Sequence, residues 1–478
     1  MNSFMPHCIA PLTWVWASAT GQLSAGHADP VAPILIALAL ISFGAMLGGH
    51  LMQKLRQPAV LGELLVGMLV ANIAYYLGQP VISVLREGGT IRSITTFALT
   101  QSSSLGEAAR ALLPASAHTA RLAEILNSPI GPVAIQIYEF VDMLSRIAII
   151  VLLFLVGLET SVREMRKVGK TSLLVALIGI IAPFLLGFGA MAQVNHQTTM
   201  TSDLFTGVIL VATSVGITAR IFRDLGQEHR AEAKIILGAA VIDDVLGLLF
   251  LAVLSGFVVT GTVQFRSVSL IALKALLFLA GSIGIGLWIT PKLVRTVAPL
   301  KIENIKLLFG LGVAFVFSWI ASLAGLATII GAFAAGLALE EFFFQELKDE
   351  HSLRHLLSPL ETLIVPIFFV LMGMQVKLET FGDIRIVVIA GVITATAITG
   401  KLLSGLACSS KLSRLAVGVG MMPRGEVALI FAGVGKELGA VSDGIFSAVI
   451  IMVMTTTLLT PPLLRFALLR QGRTVVSG

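Results

Sequence analysis

Long apolar stretches separated by short polar joints make up most of the chain. Thirteen such stretches are near twenty residues long, enough for a helix to cross a hydrocarbon core about 30 Å thick. They cover residues 33–53, 58–77, 139–159, 170–193, 203–222, 234–259, 268–290, 306–324, 327–343, 360–376, 385–408, 413–435 and 444–469. The pattern predicts an all-α membrane protein with about thirteen transmembrane helices.

Besides the short joints, two terminal tails and one long joint lie outside these spans. Residues 1–32 are a predicted extracytoplasmic tail, and residues 470–478 are a predicted cytoplasmic tail. The joint at 78–138 is far longer than the others and contains LGEAARALLPASAHTARLAEIL, whose apolar spacing is that of an amphipathic helix. We therefore expect an extracytoplasmic insertion that is either one amphipathic helix lying on the membrane or a disordered loop.

Composition and charge agree with a membrane class and exclude a nucleic-acid binder. Hydrophobic residues make up 56% of the chain and charged residues 13%, against roughly 25% charged in soluble proteins. The net charge is +6, but the basic residues are spread over the joints and form no single patch. They concentrate in the joints after odd-numbered spans, which predicts a cytoplasmic C-terminus and an N-terminus outside.

Two adjacent aspartates lie in the middle of span six, in the sequence AAVIDDVLGLL. An ionised carboxylate at the bilayer centre costs roughly 2.5 to 3.5 kcal/mol by insertion scales, so Asp243 and Asp244 are candidate functional residues. Adjacent helix positions point about 100° apart, which gives the two side chains different partners. The alternative is a structural pair, with one aspartate facing a cation and the other neutral.

Span eleven offers the aspartates a partner. Lys401 lies two-thirds of the way along this span and has no acidic residue nearby in sequence. A buried lysine beside a buried aspartate lowers the desolvation cost of both. The alternative is a lysine that extends along the helix to the cytoplasmic edge of the membrane.

Spans five and twelve each carry helix-weak residues near their middle. In span twelve, Pro423 removes a helix hydrogen bond and Gly425 loosens the backbone. In span five, the small residues fit either a break in the helix or close packing of an unbroken helix against its neighbours. Unwound backbone at membrane depth is tolerated where it lines a cavity or is buried in protein, and it offers carbonyl oxygens to ions. The candidate residues of these discontinuous helices are Gly216, Thr218, Pro423, Arg424, Gly425 and Glu426.

The order of these features predicts an inverted repeat. Interrupted span five precedes span six, which carries the aspartates, and interrupted span twelve precedes span thirteen. Spans four, five and six thus correspond to spans eleven, twelve and thirteen, at a constant offset of seven spans. An odd offset means that the second copy enters the membrane inverted, which is the plan of many secondary transporters, with span seven as a linker.

Six motifs together resemble the cation:proton antiporter-2 family, and in particular its sodium/proton antiporters of the NapA and NhaA type. They are QPAVLGELLVGMLV (57–70), LLFLVGLE (152–159), ATSVGITARIFRDLG (212–226), GAAVIDDVLGL (238–248), PIFFVLMGMQV (366–376) and MMPRGEVALIFA (421–432). The resemblance covers nearly all of residues 33–469. The long 78–138 joint departs from the family pattern, which keeps this connection short.

The resemblance implies a transporter in the bacterial cytoplasmic membrane. It also implies that the protein is neither an enzyme nor dependent on a cofactor, and that its partners are the lipid bilayer, a monovalent cation and the proton. The family architecture is a homodimer in which an ion-transporting core moves like an elevator against a dimerisation part. The core corresponds here to 170–259 and 385–469, the dimerisation part to 33–159 and 306–376, and the linker helix to 268–290.

The resemblance also implies roles for individual residues. Asp244 binds Na⁺, Asp243 forms an ion pair with Lys401, and Thr213 and Ser214 lie beside the site. Paired aspartates resemble the electrogenic branch of the family, which exchanges Na⁺ or Li⁺ for H⁺. The alternatives are a K⁺/H⁺ antiporter of the same family and a sodium-coupled symporter of organic anions on the same fold.

The residues suggest a mechanism and disfavour two other classes. Burial favours the protonated carboxyl, so Asp244 can hold either a proton or, with carbonyl and hydroxyl oxygens, a small cation. Competition at one group then enforces exchange if only the occupied site crosses the membrane. An intramembrane aspartyl protease needs two aspartates that face each other from different helices, and a channel needs a continuous pore.

Overall fold

The computed structural model describes most of the chain as helix. The described residues are 31–55, 57–113, 117–159, 169–194, 199–214, 230–260, 305–339, 352–409 and 412–476, with isolated positions between 218 and 292. The α-helices within them are α1 Ala32–Lys54, α2 Ala59–Tyr76, α3 Pro80–Glu87, α4 Gly89–Gln101, α5 Leu105–Leu112, α6 Ala117–Asn127, α7 Gly131–Glu159, α8 Lys170–Val194, α9 Met200–Ile209, α10 Ala231–Thr260, α11 Ile305–Leu323, α12 Thr328–Ala338, α13 Leu353–Met374, α14 Ile384–Ser404, α15 Arg414–Gly420, α16 Glu426–Glu437 and α17 Asp443–Val476. These described ranges contain no β-strand.

Nine helical stretches in the described residues are long and apolar enough to cross a membrane. They correspond to nine of the thirteen predicted spans. Of the other four, span nine contains the shorter apolar helix α12, and spans five and twelve contain helices that stop near their middle. Predicted span seven, 268–290, lies largely outside the described residues. The chain is therefore an all-helical membrane protein, and the total of thirteen spans stays a prediction.

Several predicted boundaries differ from the observed helix ends by more than one helical turn, most of all two helix starts. Helix α7 begins at Gly131, not at 139, and α13 begins at Leu353, not at 360. The missed turns of α13 carry charged and polar side chains such as Arg354, whereas those of α7, GPVAIQIY at 131–138, carry no charge and are separated from the apolar run by Glu139. Hydropathy finds only the part of a helix that lies in hydrocarbon, so polar extensions at its ends are missed.

The 78–138 insertion consists mainly of four helices, α3 to α6, followed by the first turns of α7. The predicted single amphipathic helix at 105–126 was wrong, because α5 ends at Leu112 and α6 begins at Ala117. Leu113 is extended, as expected for a residue that precedes a proline. Helix α5 begins with a capping box, in which Ser104 and Glu107 each satisfy a backbone N–H of the other.

The chain divides into two compact units. The first contains residues 1–148 and 363–378, and the second contains 149–362 and 379–478. The core of the first unit is formed by apolar faces of α1 to α7 and of the end of α13. Helices α1 and α2 approach closely at Gly48 and Gly62, where a Cβ on Gly62 would lie 1.9 Å from the carbonyl oxygen of Gly48.

The second unit contains the helices that position the predicted site. Helix α8 packs along α14, and a Cβ on Gly400 of α14 would lie 2.6 Å from the Cα of Pro183 in α8. This close approach places the next residue, Lys401, against α8, where its Nζ is 3.4 Å from a Cβ built on Gly179. The absence of side chains at both glycines therefore leaves room for a buried lysine.

Candidate functional site

Helix α10 carries both aspartates near its middle. Asp243 is 0% exposed and Asp244 is 4% exposed, within a helix that runs from Ala231 to Thr260. Both carboxyl groups are thus removed from solvent at the depth where an ionised group is most expensive.

Asp243 has two side-chain partners from other helices. Lys401 Nζ donates to its Oδ2 over 2.5 Å, and the hydroxyl of Thr213 donates to the same oxygen over 2.7 Å. Lys401 is 0% exposed, so this is a fully buried ion pair. Such a pair avoids the large penalty of a single buried charge, because the lysine and the hydroxyl together replace part of the lost hydration.

Two interruptions of helical structure meet beside this pair. Helix α9 ends at Ile209 and the backbone is not helical at 212–214, while the backbone between α15 and α16 is unwound at 421–425. The N–H of Ser214 donates to the carbonyl of Pro423 over 2.9 Å, and the hydroxyl of Thr218 donates to the carbonyl of Gly420 over 2.7 Å. Proline provides no N–H, so the helical ladder of α15 cannot continue through Pro423.

Arg424 lies in the second interruption and is 0% exposed. Its Nη1 donates to the carbonyl oxygens of Val211 and Ala212, which follow the C-terminal end of α9. These carbonyls sit at the negative end of the α9 dipole and have no helix partner of their own, so the guanidinium replaces the missing donors. The carbonyl of Arg424 in turn accepts a hydrogen bond from the hydroxyl of Thr457 over 2.6 Å.

Some of the site residues predicted from the sequence are in contact with one another in the structure, and others lie outside the described residues. Asp243, Thr213 and Lys401 are in direct contact, Ser214 bonds to Pro423, and Gly425 is the N-cap of α16. Glu426 begins α16, but its side chain lies outside the described residues, as does the whole of Gly216.

Sequence analysis did not single out Thr457 or the carbonyl oxygens that Arg424 binds. Thr457 is the last of three consecutive threonines in an otherwise apolar stretch of α17, and it is 1% exposed. A polar run at that depth was the available signal. The carbonyl contacts of Arg424 have no sequence signal, because every residue carries a carbonyl.

The four ionisable side chains of the site whose burial the structure describes balance in charge. Lys401 and Arg424 contribute two positive charges, and Asp243 and Asp244 contribute two negative charges when ionised. The site also places hydroxyl and carbonyl oxygens of 210–214 and 420–425 near these groups. Oxygen-rich surroundings with a carboxylate suit a small hard cation, and a buried carboxyl also suits a proton.

An all-helical membrane protein with a buried, charge-balanced site beside two interrupted helices has the features of a secondary transporter. Comparison with known families agrees with this class. Residues 38–470 match the protein family described as "Sodium/hydrogen exchanger, transmembrane". The chain belongs to this family of cation:proton antiporters, and the finer assignment to the NapA and NhaA type stays a prediction.

Individual relatives support the family assignment along most of the chain. The high-affinity Na⁺/H⁺ antiporter NhaS3 of Synechocystis is 36% identical over 445 residues, which are 91% of this chain and 90% of the relative. The Na⁺/H⁺-K⁺ antiporter GerN of Bacillus cereus is 34% identical over 352 residues, covering 72% of this chain and 88% of the relative. The solved structure of the sodium proton antiporter MjNhaP1 from Methanocaldococcus jannaschii has the same fold, with a TM-score of 0.59, 17% identity, and coverage of 92% of this chain and 99% of that chain.

Proposed function

We propose that the protein is a secondary active antiporter that exchanges Na⁺ or Li⁺ for H⁺. One observation carries the proposal: Oδ2 of Asp243 already accepts from Lys401 and Thr213, while a second buried carboxyl, Asp244, follows it in the same helix. The first carboxyl is thereby held in an ion pair. The second is the natural site at which a cation and a proton compete.

Competition at Asp244 gives a simple exchange mechanism. With Asp244 ionised, the four groups have no net charge, and either one Na⁺ or one proton adds a single positive charge. A burial penalty opposes a bare carboxylate in the low-dielectric interior, so the occupied states are favoured. If only occupied states cross between the two faces of the membrane, each cation that moves one way is exchanged for proton movement the other way.

We further propose electrogenic exchange, in which more than one proton moves per cation. The second proton needs another group that changes charge when the cation binds, and the pair of Asp243 and Lys401 is adjacent to Asp244 in the same interior. The transport movement in this proposal is elevator-like, within a homodimer of thirteen-span subunits in a bacterial cytoplasmic membrane. The meeting of the interrupted segments at Ser214 and Pro423 supports a repeat with two crossed discontinuous helices.

K⁺ is the alternative cation. The relative GerN is named a Na⁺/H⁺-K⁺ antiporter, and it resembles most of this chain. The same carboxyl and carbonyl oxygens can hold either ion, because selectivity depends on cavity size and ligand number. The identity of the cation therefore has to be measured.

The test is proton flux in proteoliposomes that contain an internal pH dye, after addition of Na⁺, Li⁺ or K⁺ salts. We expect Na⁺ and Li⁺ to drive proton movement at a rate that follows a clamped membrane potential. A response to K⁺ alone supports the alternative cation, and a rate indifferent to the potential contradicts electrogenic exchange.

The Asp244→Asn variant tests the competing site in the same assay. Asparagine keeps the size of the side chain but cannot exchange a proton, so we expect cation-driven proton flux to disappear. Asp383→Asn is the matched control, because Asp383 is exposed at the N-cap of α14, where asparagine caps equally well. Cation-driven proton flux that persists in Asp244→Asn contradicts the mechanism.

A further inference from the structure

Thr457 of α17 bonds to the interrupted segment between α15 and α16. Its side chain is buried, and its hydroxyl donates to the carbonyl of Arg424 over 2.6 Å. Arg424 lies outside any helix and is itself buried. A buried carbonyl needs a hydrogen-bond donor, and here the donor is a side chain of a distant helix.

The other buried threonines in this part of α17 bond within their own helix. The hydroxyl of Thr456 donates to the carbonyl of Met452 over 2.9 Å, and that of Thr460 donates to the carbonyl of Thr456 over 2.7 Å. Threonines in the middle of a helix commonly bond in this way to the carbonyl four residues earlier. Thr457 differs from them, because its hydroxyl bonds to another segment of the chain.

This contact lies where the hydrogen-bond ladder of α17 is incomplete. The helix contains Pro461 and Pro462. A proline has no N–H, so Pro461 cannot donate to the carbonyl four residues earlier, which belongs to Thr457. The helix is weakened at this turn, and the bond to Arg424 attaches the turn to its surroundings.

Arg424 connects this attachment to the first interruption, at 212–214. Its side chain donates to the carbonyl oxygens of Val211 and Ala212, which directly precede Thr213. Thr213 in turn donates to Asp243 over 2.7 Å. Arg424 is thus held by α17 through its carbonyl, and it holds the first interruption through its guanidinium.

Two more carbonyl oxygens beside the second interruption also accept from distant donors. The carbonyl of Gly420 accepts from the hydroxyl of Thr218, and that of Pro423 accepts from the N–H of Ser214. A carbonyl oxygen has two lone pairs, so a donor that occupies one of them fixes the direction of the other. These backbone oxygens near the site are therefore held in set directions, and Thr457 holds the one of Arg424.

Fixed oxygen positions affect which cation a site prefers. Discrimination between cations of equal charge depends on the cavity size, the number of ligands and the flexibility of those ligands. A site with rigid oxygens cannot expand around a larger ion, whereas a flexible site accepts large and small ions alike.

We propose that Thr457 is a positioning residue that makes the site prefer a small cation, Na⁺ or Li⁺, over K⁺. It acts through Arg424, because its hydroxyl fixes the carbonyl of Arg424 and with it the segment that joins the two interruptions. The inference rests on the proposed function above, since it concerns the choice of cation by the same site.

The test is the ratio of the half-saturating concentrations of K⁺ and Na⁺ for cation-driven proton flux in proteoliposomes at one pH. Thr457→Val keeps the shape of the side chain and removes its hydroxyl, so we expect the preference for Na⁺ to fall about fivefold. Thr457→Ser keeps the hydroxyl and should restore the wild-type ratio. Thr456→Val is the matched control, because it removes a bond within α17 alone, and it should keep the wild-type ratio.

The ratio separates positioning from a general structural role. Loss of folded protein lowers the maximal rate for every cation and leaves the ratio of half-saturating concentrations unchanged. A wild-type ratio in Thr457→Val overturns the inference, as does a fall that Thr457→Ser shares or a wild type that prefers K⁺. If Thr457→Val yields no folded protein, Thr457→Cys takes its place, and its weaker donor should give a smaller shift in the same direction.

Thermal unfolding in detergent measures cation binding without transport. A cation that binds the native state raises Tm, and the concentration at which Tm rises reports its affinity. With ionic strength held constant by a choline salt, we expect this concentration ratio between K⁺ and Na⁺ to fall in Thr457→Val as it does in transport. A wild type that neither exchanges nor is stabilised by Na⁺, Li⁺ or K⁺ contradicts the proposed function. A wild type that exchanges Na⁺, with an unchanged ratio in Thr457→Val, contradicts only the role of Thr457.

Discussion

At the scale of single residues, the buried pair of Asp243 and Lys401 is the feature with the largest energetic consequence. Neither side chain has exposed surface, and the two atoms in contact are 2.5 Å apart. Such a pair adds little net stability compared with apolar residues of similar volume, but removal of one partner leaves an uncompensated charge. Each single substitution should therefore destabilise the protein more than the double substitution does.

A double-mutant cycle tests this expectation. We predict that Lys401→Met lowers the free energy of unfolding by about 3 to 5 kcal/mol, because Asp243 keeps only Thr213 as a hydrogen-bond donor among the contacts described. The combination of Asp243→Asn with Lys401→Met should recover most of that loss. The measurement is unfolding of the purified variants in one detergent, and losses that simply add in the double variant contradict the prediction.

At the scale of elements, the contact between α1 and α2 depends on the absence of side chains. A Cβ on Gly62 would lie 1.9 Å from the carbonyl oxygen of Gly48, and backbone atoms cannot move aside without separating the helices. Small residues at such contacts let membrane helices approach closely, which strengthens van der Waals packing.

We predict that Gly62→Ala lowers the unfolding free energy by about 1 to 3 kcal/mol, the usual range for overpacking. Gly189→Ala is the control, because Gly189 lies in α8 with no atom within 4 Å of an added Cβ, and alanine favours a helix. Thermal unfolding of both variants in the same detergent gives the comparison. Equal stabilities for the two variants are inconsistent with this account of the α1 and α2 contact.

The capping box of α5 makes a prediction about pH. The backbone N–H and the hydroxyl of Ser104 hold the pKa of Glu107 below its ordinary value of 4.5. A lowered folded pKa means that the contribution to stability is complete above the unfolded pKa and is lost as pH falls through the folded pKa. We therefore expect the first turn of α5 to fray when the pH falls below about 4.5.

Amide exchange of the 105–112 segment is the measurement, taken as a ratio between variants at equal pH. Glu107→Ala removes the carboxylate that accepts from the N–H of Ser104 and should increase exchange several-fold near neutral pH, where the capping box is intact. The ratio between Glu107→Ala and wild type should fall toward one in acid, where the wild-type carboxylate is protonated as well. A ratio that is the same at pH 7 and at pH 3 argues against the carboxylate as part of the cap.

At the scale of the whole molecule, competition between a cation and a proton sets the pH dependence of affinity. If both bind one carboxyl, the apparent half-saturating Na⁺ concentration rises about tenfold for each unit by which the pH falls below the effective pKa of the site. We predict this slope for the wild type in proteoliposomes. A half-saturating concentration that is independent of pH indicates separate sites for the two ions.

The sequence by itself determined the elements and the identity of the charged groups. Hydropathy located nine spans, most of them close to their observed bounds, because the cost of polar groups in hydrocarbon is a local property of each segment. The same cost drew attention to Asp243, Asp244, Lys401 and Arg424, since charges are rare at that depth. Local turn chemistry likewise indicated the break at Pro423.

The residues alone left the partners of these groups open, and the pair of Asp243 and Lys401 was expected only from the family resemblance; the tertiary structure decided the contacts. Lys401 contacts Asp243 across 158 positions of sequence, and Lys377 contacts Glu87 across 290 positions. Arg424 binds main-chain carbonyls near 211, for which the sequence has no signal. A short segment determines its own helix through bonds within a few residues, but the partners of a buried charge depend on how distant helices pack, and that packing is decided by the whole chain.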